Sequence, residues 1–306
     1  VVVLLFDGLG KYILESHLRS DSWMRKHNFT TINATFPPTT VASTTGIRSA
    51  KFPIETGWLA WAVYLEEYKG NIACFLNERI KDKQIVEDPS NNIMLNICNY
   101  EHVADLIKSN GHTNAVEILQ YPCDKQGPKT LKEAKVKLDE FLFNNDDCYS
   151  YFYWTEPDGN MHEHGVDSFE ARYQIENINK FVRQLCKDHP DTLFISVADH
   201  GLVNIEYLDI CKHDDLYSLL RHECGFELRT TSYYVKPGKE ATFAELFNKY
   251  YGEYFKLYTK DEVLKTNLFG EGKPHERSLD FIGDFVSVAL DKYALYASKE
   301  HDDMKS

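Results

Sequence analysis

Short β-branched runs alternate with helical patterns along this chain of 306 residues. Val1–Phe6 is apolar throughout, as in a strand covered on both faces, and Cys148–Trp154 and Thr192–Ala198 are similar runs. Between the last two, Asp167–Asp188 repeats apolar residues at alternating four- and three-residue steps, which predicts a helix and completes a βαβ unit. The pattern predicts an α/β fold with a mostly parallel central sheet and helices on both faces.

The pattern of residue types changes after residue 203. The following residues mix acidic and aromatic side chains, with a strand predicted at Thr230–Val235 and a helix around Thr242–Tyr250. The main pattern resumes near residue 273 and predicts a last strand within Asp280–Leu290. We therefore expect an α/β core and an inserted cap subdomain, formed by residues 1–203 with 273–306 and by residues 204–272, respectively.

Charge and cysteine content limit the classes of partner. The chain has 34 Lys and Arg against 47 Asp and Glu, a net charge of −13, which argues against binding of polymeric nucleic acid or an anionic membrane. Its apolar runs are too short to span a bilayer. Seven scattered cysteines without a C-x-x-C pair predict reduced thiols and a cytoplasmic location. The first residue is not Met, which leaves a preceding segment open.

Carboxylates and histidines follow the predicted strands directly. Asp7 follows the first strand, Asp158 and His162 follow the second, and the pair Asp199-His200 follows the third. Singly, such residues are often turn formers, helix caps or parts of a solvated loop. The carboxyl ends of parallel strands meet at one sheet edge, so these residues are expected to converge there. Carboxylates combined with imidazoles are typical metal ligands, and stability alone does not require this convergence.

These motifs, in this order, resemble those of the type I phosphodiesterase/nucleotide pyrophosphatase family of the alkaline phosphatase superfamily. The resemblance also includes Thr35–Thr40 (TFPPTT) and the segment KPHER at residues 273–277, and it extends over nearly the whole chain. It implies an alkaline phosphatase-like α/β fold. It also implies two bound zinc ions and a threonine nucleophile.

The resemblance carries over to individual residues. The family nucleophile lies four residues after the Phe of its Phe-Pro motif, which is Thr40 here, and the alternative is Thr39, which otherwise would cap the following helix. One zinc ion would be held by Asp158, His162 and His275. The other would be held by Asp7, Asp199, His200 and the oxygen of Thr40.

The implied activity is cleavage of phosphodiester or pyrophosphate bonds in a small phosphate ester through a phospho-threonine intermediate. Two positions depart from the family pattern. Trp61 stands where phosphodiesterases commonly have an Asn that contacts a phosphoryl oxygen, and Val41 stands where nucleotide-cleaving members often have an aromatic residue. The second phosphate contact is therefore unassigned, with Arg48, Lys51 and Asn77 as candidates.

Other functions stay open from the sequence. Within the superfamily, the alternative is a phosphomonoester or phosphonate hydrolase. From a different class, the alternative is a non-catalytic metal-binding interaction protein. Trp58, Trp61 and Tyr64 either line a leaving-group site or belong to the core. The sequence does not predict an oligomeric state.

Overall fold

The computed structural model describes residues 1–85 and 91–299. The strands in these ranges are β1 (Val2–Phe6), β2 (Ala62–Leu65), β3 (Gly70–Ala73), β4 (Glu78–Arg79), β5 (Ala115–Leu119), β6 (Tyr149–Trp154), β7 (Phe194–Val197), β8 (Glu206–Asp209), β9 (Gly225–Glu227), β10 (Thr230–Tyr233), β11 (Phe255–Thr259), β12 (Phe285–Ala289) and β13 (Tyr293–Tyr296). The helices are α1 (Lys11–His17), α2 (Trp23–Lys26), α3 (Thr40–Ser49), α4 (Pro53–Thr56), α5 (Ile93–Ile97), α6 (Val103–Ser109), α7 (Leu131–Phe143), α8 (Asp158–His164), α9 (Phe169–Asp188), α10 (Asp214–Tyr217), α11 (Glu240–Tyr251), α12 (Lys260–Lys265) and α13 (Ser278–Phe281). Single 3₁₀ turns lie at Glu66–Tyr68 and Ile210–Lys212.

The chain divides into two compact units. The first unit consists of Val1–Ala34, Arg48–Ala50 and Glu101–Asn204, and the second consists of Thr35–Ile47, Lys51–Tyr100 and Ile205–Ser306. The predicted cap, residues 204–272, and the described part of the predicted last core segment, residues 273–299, thus lie almost wholly in the second unit. The prediction had placed these two segments in different subdomains. The rest of the predicted core segment, residues 300–306, lies outside the described residues.

A four-stranded parallel sheet in the order β5-β6-β1-β7 forms the centre of the first unit. β6 and β7 flank β1 and are connected through α9, which confirms the predicted βαβ unit. Val2, Leu4 and Phe6 of β1 are fully buried on the face that packs against the helices. β7 is an edge strand of this sheet in the described part of the chain, and Ile195 on it is half-exposed. Its apolar sequence alone favoured a central position.

Helix α9 packs its apolar face against the sheet of the first unit. The buried residues of this face are Ala171, Ile175, Ile178, Phe181, Val182 and Leu185. The Ser168 side chain caps the helix by accepting a hydrogen bond from the Ala171 N–H at 3.1 Å. The sequence had favoured Asp167 as the start, so the helix begins slightly later than predicted, while its end at Asp188 agrees.

The second unit is built on a seven-stranded sheet in the order β11-β12-β10-β9-β2-β3-β4, in which the paired strands are antiparallel. β12 pairs with β10 and with β11, both of which lie within residues 204–272. The strand that we predicted to resume the core therefore continues the sheet of the predicted cap. Strand order depends on pairing between distant segments, which a local apolar pattern does not encode. β8 and β13 form a separate parallel pair.

Candidate active site

The carboxyl ends of β1, β6 and β7 carry the predicted acidic residues of the first unit. β1 pairs in parallel register with both neighbours, so Asp7, Asp158 and Asp199 follow adjacent strand ends. One ligand atom from each of Asp7, Asp158 and His200 lies within 4.8 Å of the others, a group able to hold a metal ion. Asp158 belongs to one of the two predicted zinc ligand sets, and Asp7 and His200 belong to the other.

Gly8 allows the acidic side chains of the site to approach each other. Gly8 has a φ of +71°, and a Cβ there would lie 2.8 Å from Leu202 Cδ1 and 3.0 Å from Asp158 Cβ. The N–H of Gly8 donates to Asp199 Oδ1 at 3.1 Å, and the N–H of His200 donates to the same oxygen at 2.9 Å. The D-G dipeptide that begins this site therefore supplies close packing and a hydrogen bond that orients the Asp199 carboxylate.

Two carboxylate oxygens in the site are buried without a hydrogen bond from any described residue: Asp158 Oδ1 and Asp199 Oδ2. The nearest basic nitrogens are His162 Nε2, at 3.5 Å from Asp158 Oδ1, and His200 Nε2, at 3.6 Å from Asp199 Oδ2. Burying an acceptor without a partner costs free energy. Bound cations would satisfy these two oxygens, so the donor set fits the metal ions that the resemblance implies.

The tautomer of His200 also fits a metal ligand. Its Nδ1 lies 3.2 Å from the carbonyl oxygen of Gly201, which can only accept, so Nδ1 carries the proton. In the neutral ring Nε2 then holds the lone pair, and it lies 3.3 Å from Asp7 Oδ1. A backbone carbonyl that fixes the second nitrogen in this way is the usual support for a ligating histidine.

Clustered acidic groups shift the pKa values of the site. Burial, followed by the charge of Asp7, raises the pKa of Asp158 to about 6 and also raises that of Asp199. Burial lowers the pKa of His200, but the hydrogen bond to Asp7 and the charges of Asp199 and Asp7 outweigh it and raise that pKa to about 10. The buried carboxylates therefore favour the protonated form of the His200 ring.

The remaining predicted residue of the first unit, His162, lies in the last turn of α8. Its side chain is 71% exposed, and its Nε2 is near Asp158 Oδ1, four residues earlier on the same helix. The i, i+4 spacing puts both side chains on one helix face. His162 is thus adjacent to the acidic cluster without being enclosed by it.

Thr40 and His275 belong to the second unit. Thr40 is the first residue of α3, as predicted, and the following residues Val41 and Ala42 are fully buried. Thr39 directly precedes the helix, and its carbonyl accepts a hydrogen bond from the Ser43 N–H at 3.0 Å. The N–H groups of a first helical turn lack intrahelical partners, and such groups favour a phosphoryl oxygen.

His275 has the opposite tautomer to His200. The N–H of Arg277 donates to His275 Nδ1 at 3.2 Å, so Nδ1 holds the lone pair and Nε2 carries the proton in the neutral ring. Gly57, with a φ of +78°, leaves room for this ring, because a Cβ there would lie 3.3 Å from His275 Nδ1 and 2.6 Å from Cys98 Sγ. Of the predicted ligands, His275 is the one whose observed hydrogen bond does not fit metal binding through Nε2. Its role as a ligand stays a prediction.

Two candidates for the second phosphate contact make other interactions. Arg48 forms a bidentate pair with Glu117, with Nε–Oε1 and Nη2–Oε2 distances of 3.1 and 2.6 Å, and His102 Nδ1 lies 3.1 Å from Glu117 Oε2. The Asn77 side chain accepts from the Ile93 N–H and donates to the Asn91 carbonyl. Neither geometry points to a phosphate site, and the second phosphate contact stays unassigned.

The Arg48–Glu117 pair leads to a stability prediction. Burial raises the pKa of Glu117, but hydrogen bonds from His102 and Arg48 outweigh it and lower that pKa from 4.5 to about 2. Because the folded pKa is depressed, the pair contributes stability above pH 4.5 and loses it as the pH falls towards 2. Glu117→Gln should lower the free energy of unfolding at pH 7 by about 3 kcal/mol, since it leaves the largely buried guanidinium of Arg48 without its carboxylate.

Chemical denaturation at pH 7 and at pH 3 measures this effect. Between these pH values, the variant should lose less stability than the wild type, because it lacks the titrating carboxylate. Equal pH dependence in the two proteins would contradict the assignment. The exposed carboxylate Asp191, changed to Asn, is the matched control and should behave as the wild type.

The aromatic residues near Gly57 have different surroundings. Trp58 is only 2% exposed and its Nε1–H donates to the Cys98 carbonyl at 2.8 Å, so it belongs to the core. Tyr64 stacks on His222 with ring centroids 3.5 Å apart. Trp61 is 36% exposed. Of the three, Trp61 is the most exposed, and its ring packs edge-on against Phe75 with centroids 6.5 Å apart.

Tyr153, which was not among the predicted site residues, donates a hydrogen bond from its hydroxyl to Asp7 Oδ2. Tyr153 lies on β6, opposite Leu5 of β1, five residues before Asp158. A tyrosine on a predicted strand is normally assigned to packing, so the only available signal was its place near the carboxyl end of the strand.

None of the helices in residues 1–85 and 91–299 is both long and apolar enough to cross a membrane.

The murine ectonucleotide pyrophosphatase/phosphodiesterase 5 structure is similar, with a TM-score of 0.66 and 16% identity over 97% of this chain and 80% of that chain. An inactive variant of it in complex with AMP gives a TM-score of 0.63 and 15% identity over 98% of this chain and 81% of that chain. Phosphonoacetate hydrolase from Sinorhizobium meliloti in complex with phosphonoformate gives a TM-score of 0.69 and 14% identity over 98% of this chain and 83% of that chain.

At these identities the structural similarity shows the fold, which is the predicted alkaline phosphatase-like α/β fold. No curated protein matches the sequence. The family model described as type I phosphodiesterase / nucleotide pyrophosphatase, however, matches residues 1–306. The match covers the whole chain, including all strand-end motifs of the acidic cluster. The chain therefore belongs to the type I phosphodiesterase/nucleotide pyrophosphatase family.

Proposed function

We propose that this protein is a metal-dependent hydrolase that cleaves phosphodiester or pyrophosphate bonds in a small phosphate ester. The observation that carries the proposal is the buried cluster at the ends of β1, β6 and β7. There, three carboxylates and Nε2 of His200 face one another, and two carboxylate oxygens accept no hydrogen bond from the described residues. Membership of the family supports this reading.

The proposal assigns zinc to this cluster. Asp7, Asp199 and His200 would hold one ion, and Asp158 and His162 would contribute to the other. His275 completes the second set only if its Nδ1 gives up the hydrogen bond from Arg277. Carboxylate and imidazole are ligands that zinc accepts. When bound, zinc would act as a Lewis acid towards phosphoryl oxygens.

Thr40 is the proposed nucleophile. Its Oγ1 would form a bond to phosphorus while the bond from phosphorus to the leaving oxygen breaks, and the hydroxyl proton would pass to solvent. Water would then hydrolyse the phospho-threonine and restore the hydroxyl. Burial of the residues that follow Thr40 holds the first turn of α3 in place, so the nucleophile needs little reorganisation. The inactive murine variant named above carries a threonine-to-alanine substitution, which is consistent with this role.

Cleavage of a phosphonate is the second candidate. The similarity to phosphonoacetate hydrolase supports it, since that protein was solved with phosphonoformate and with phosphonoacetate. A phosphomonoester carries one more negative charge than a diester and usually requires an additional cation. Arg48, the nearest candidate in sequence to Thr40, is paired with Glu117. We therefore propose that the protein cleaves phosphodiesters more efficiently than phosphomonoesters.

A substrate panel tests the proposed function. Zinc-loaded protein should cleave bis(4-nitrophenyl) phosphate with a kcat/KM at least about tenfold above that for 4-nitrophenyl phosphate, a difference of roughly 1.4 kcal/mol in transition-state stabilisation. Dinucleotides and phosphonoacetate complete the panel. Efficient cleavage of the monoester without cleavage of the diester would contradict the proposal. Zinc binding without hydrolysis of any ester in the panel would favour the non-catalytic metal-binding interaction protein.

A further inference from the structure

The hydroxyl of Tyr153 is directed at the carboxylate that begins the acidic cluster. It donates to Asp7 Oδ2, while Asp7 Oδ1 lies 3.3 Å from His200 Nε2. The two oxygens of Asp7 thus have different neighbours, one a neutral donor and the other a candidate ligand. The parallel pairing of β6 with β1, in which Tyr153 is opposite Leu5, fixes where the tyrosine ring reaches Asp7.

We propose that Tyr153 is a positioning residue for the metal centre, which holds Asp7 so that Oδ1 faces the metal position next to His200. The inference rests on the proposed function, because it assumes that Asp7 is a ligand. A carboxylate with one oxygen fixed by a buried donor cannot rotate freely. Binding a cation then requires less ordering of the side chain.

Tyr153 is suited to donate a hydrogen bond to Asp7 without adding a charge. Its hydroxyl donates to Asp7 Oδ2, and a tyrosine hydroxyl is ordinarily neutral near pH 7. The neutral hydroxyl adds no charge to a cluster that already contains Asp7, Asp158 and Asp199. A lysine in this place would supply a competing cation, whereas a phenylalanine would leave Oδ2 without its donor.

The experiment compares zinc affinities of the full chain by competition with a chelating indicator. Tyr153→Phe keeps the ring and its packing and removes only the hydroxyl. We expect zinc to bind about 10- to 100-fold more weakly, the usual effect of removing a hydrogen bond from a metal ligand. The matched control is Tyr149→Phe, which removes a hydroxyl from the same face of β6 about 13 Å away. It should bind zinc as the wild type does.

The unfolding midpoint of each metal-free protein provides the structural readout. If the Tyr153 hydroxyl only stabilises the fold, Tyr153→Phe would lower this midpoint while zinc affinity stays equal to that of the wild type, and the inference would be overturned. Tighter zinc binding by the variant would overturn it as well, since the hydroxyl would then compete with the metal for Asp7. Failure of the wild type to bind zinc would instead refute the proposed metal centre itself.

Discussion

Thr40→Ala is expected to reduce kcat for a phosphodiester on the order of 10⁴- to 10⁶-fold, the loss typical when a nucleophile is removed. The substitution removes the only atom of Thr40 that can bond to phosphorus, while the buried residues behind it keep α3 in place. Zinc content should be unchanged, because the acidic cluster of the first unit supplies the carboxylates. Steady-state kinetics combined with metal analysis of the same preparation measures both effects.

Two variants act as controls for Thr40. Thr40→Ser keeps a hydroxyl at the same position and should keep measurable turnover. Thr39→Ala removes the neighbouring hydroxyl, which lies just before the helix, and should keep most of the activity. Full activity in Thr40→Ala would refute the assignment, and loss of activity in Thr39→Ala alone would transfer the nucleophile to Thr39.

Asp199→Asn is expected to weaken zinc binding by more than the roughly 100-fold seen when a mere supporting hydrogen bond is lost. The Asn oxygen can still accept from the N–H groups of Gly8 and His200, as Asp199 Oδ1 does. The amide nitrogen would replace Oδ2, however, and it can only donate. The variant therefore keeps the local fold and loses both the charge and the ligand atom.

Stability distinguishes this effect from misfolding. Burial and the charge of Asp7 disfavour the ionised form of Asp199, which is why its pKa is raised. Removing that charge should leave the metal-free variant at least as stable as the metal-free wild type. Isothermal titration with zinc and thermal unfolding of the metal-free proteins measure the two properties, with Asp191→Asn as the control. Wild-type zinc affinity in Asp199→Asn would exclude Asp199 as a ligand.

The strand-end motifs made most of the candidate site predictable from sequence. A parallel βαβ unit has a fixed geometry, so Asp7, Asp158 and the Asp199-His200 pair had to emerge at one sheet edge once β1, β6 and β7 were identified. The structure brings these residues together. The periodicity of Asp167–Asp188 was equally decisive, and α9 departs from it only at its first residues.

Other features depend on interactions that no local pattern encodes. The pairing of β12 with β10 and β11 joins segments that the sequence pattern had assigned to different subdomains, the core and the cap. The tautomers of His200 and His275 depend on which backbone group each ring meets, a carbonyl in one and an N–H in the other. The contact of Tyr153 with Asp7 requires the register between β6 and β1.

Metal dependence of phosphodiester cleavage is the central claim, and one measurement tests it most directly. Purified protein is depleted of metal with a chelator, assayed on bis(4-nitrophenyl) phosphate, and assayed again after zinc is returned. We predict that activity disappears on depletion and recovers with zinc, in proportion to the metal bound per chain. Undiminished diester cleavage by protein that metal analysis shows to be free of metal would contradict the account.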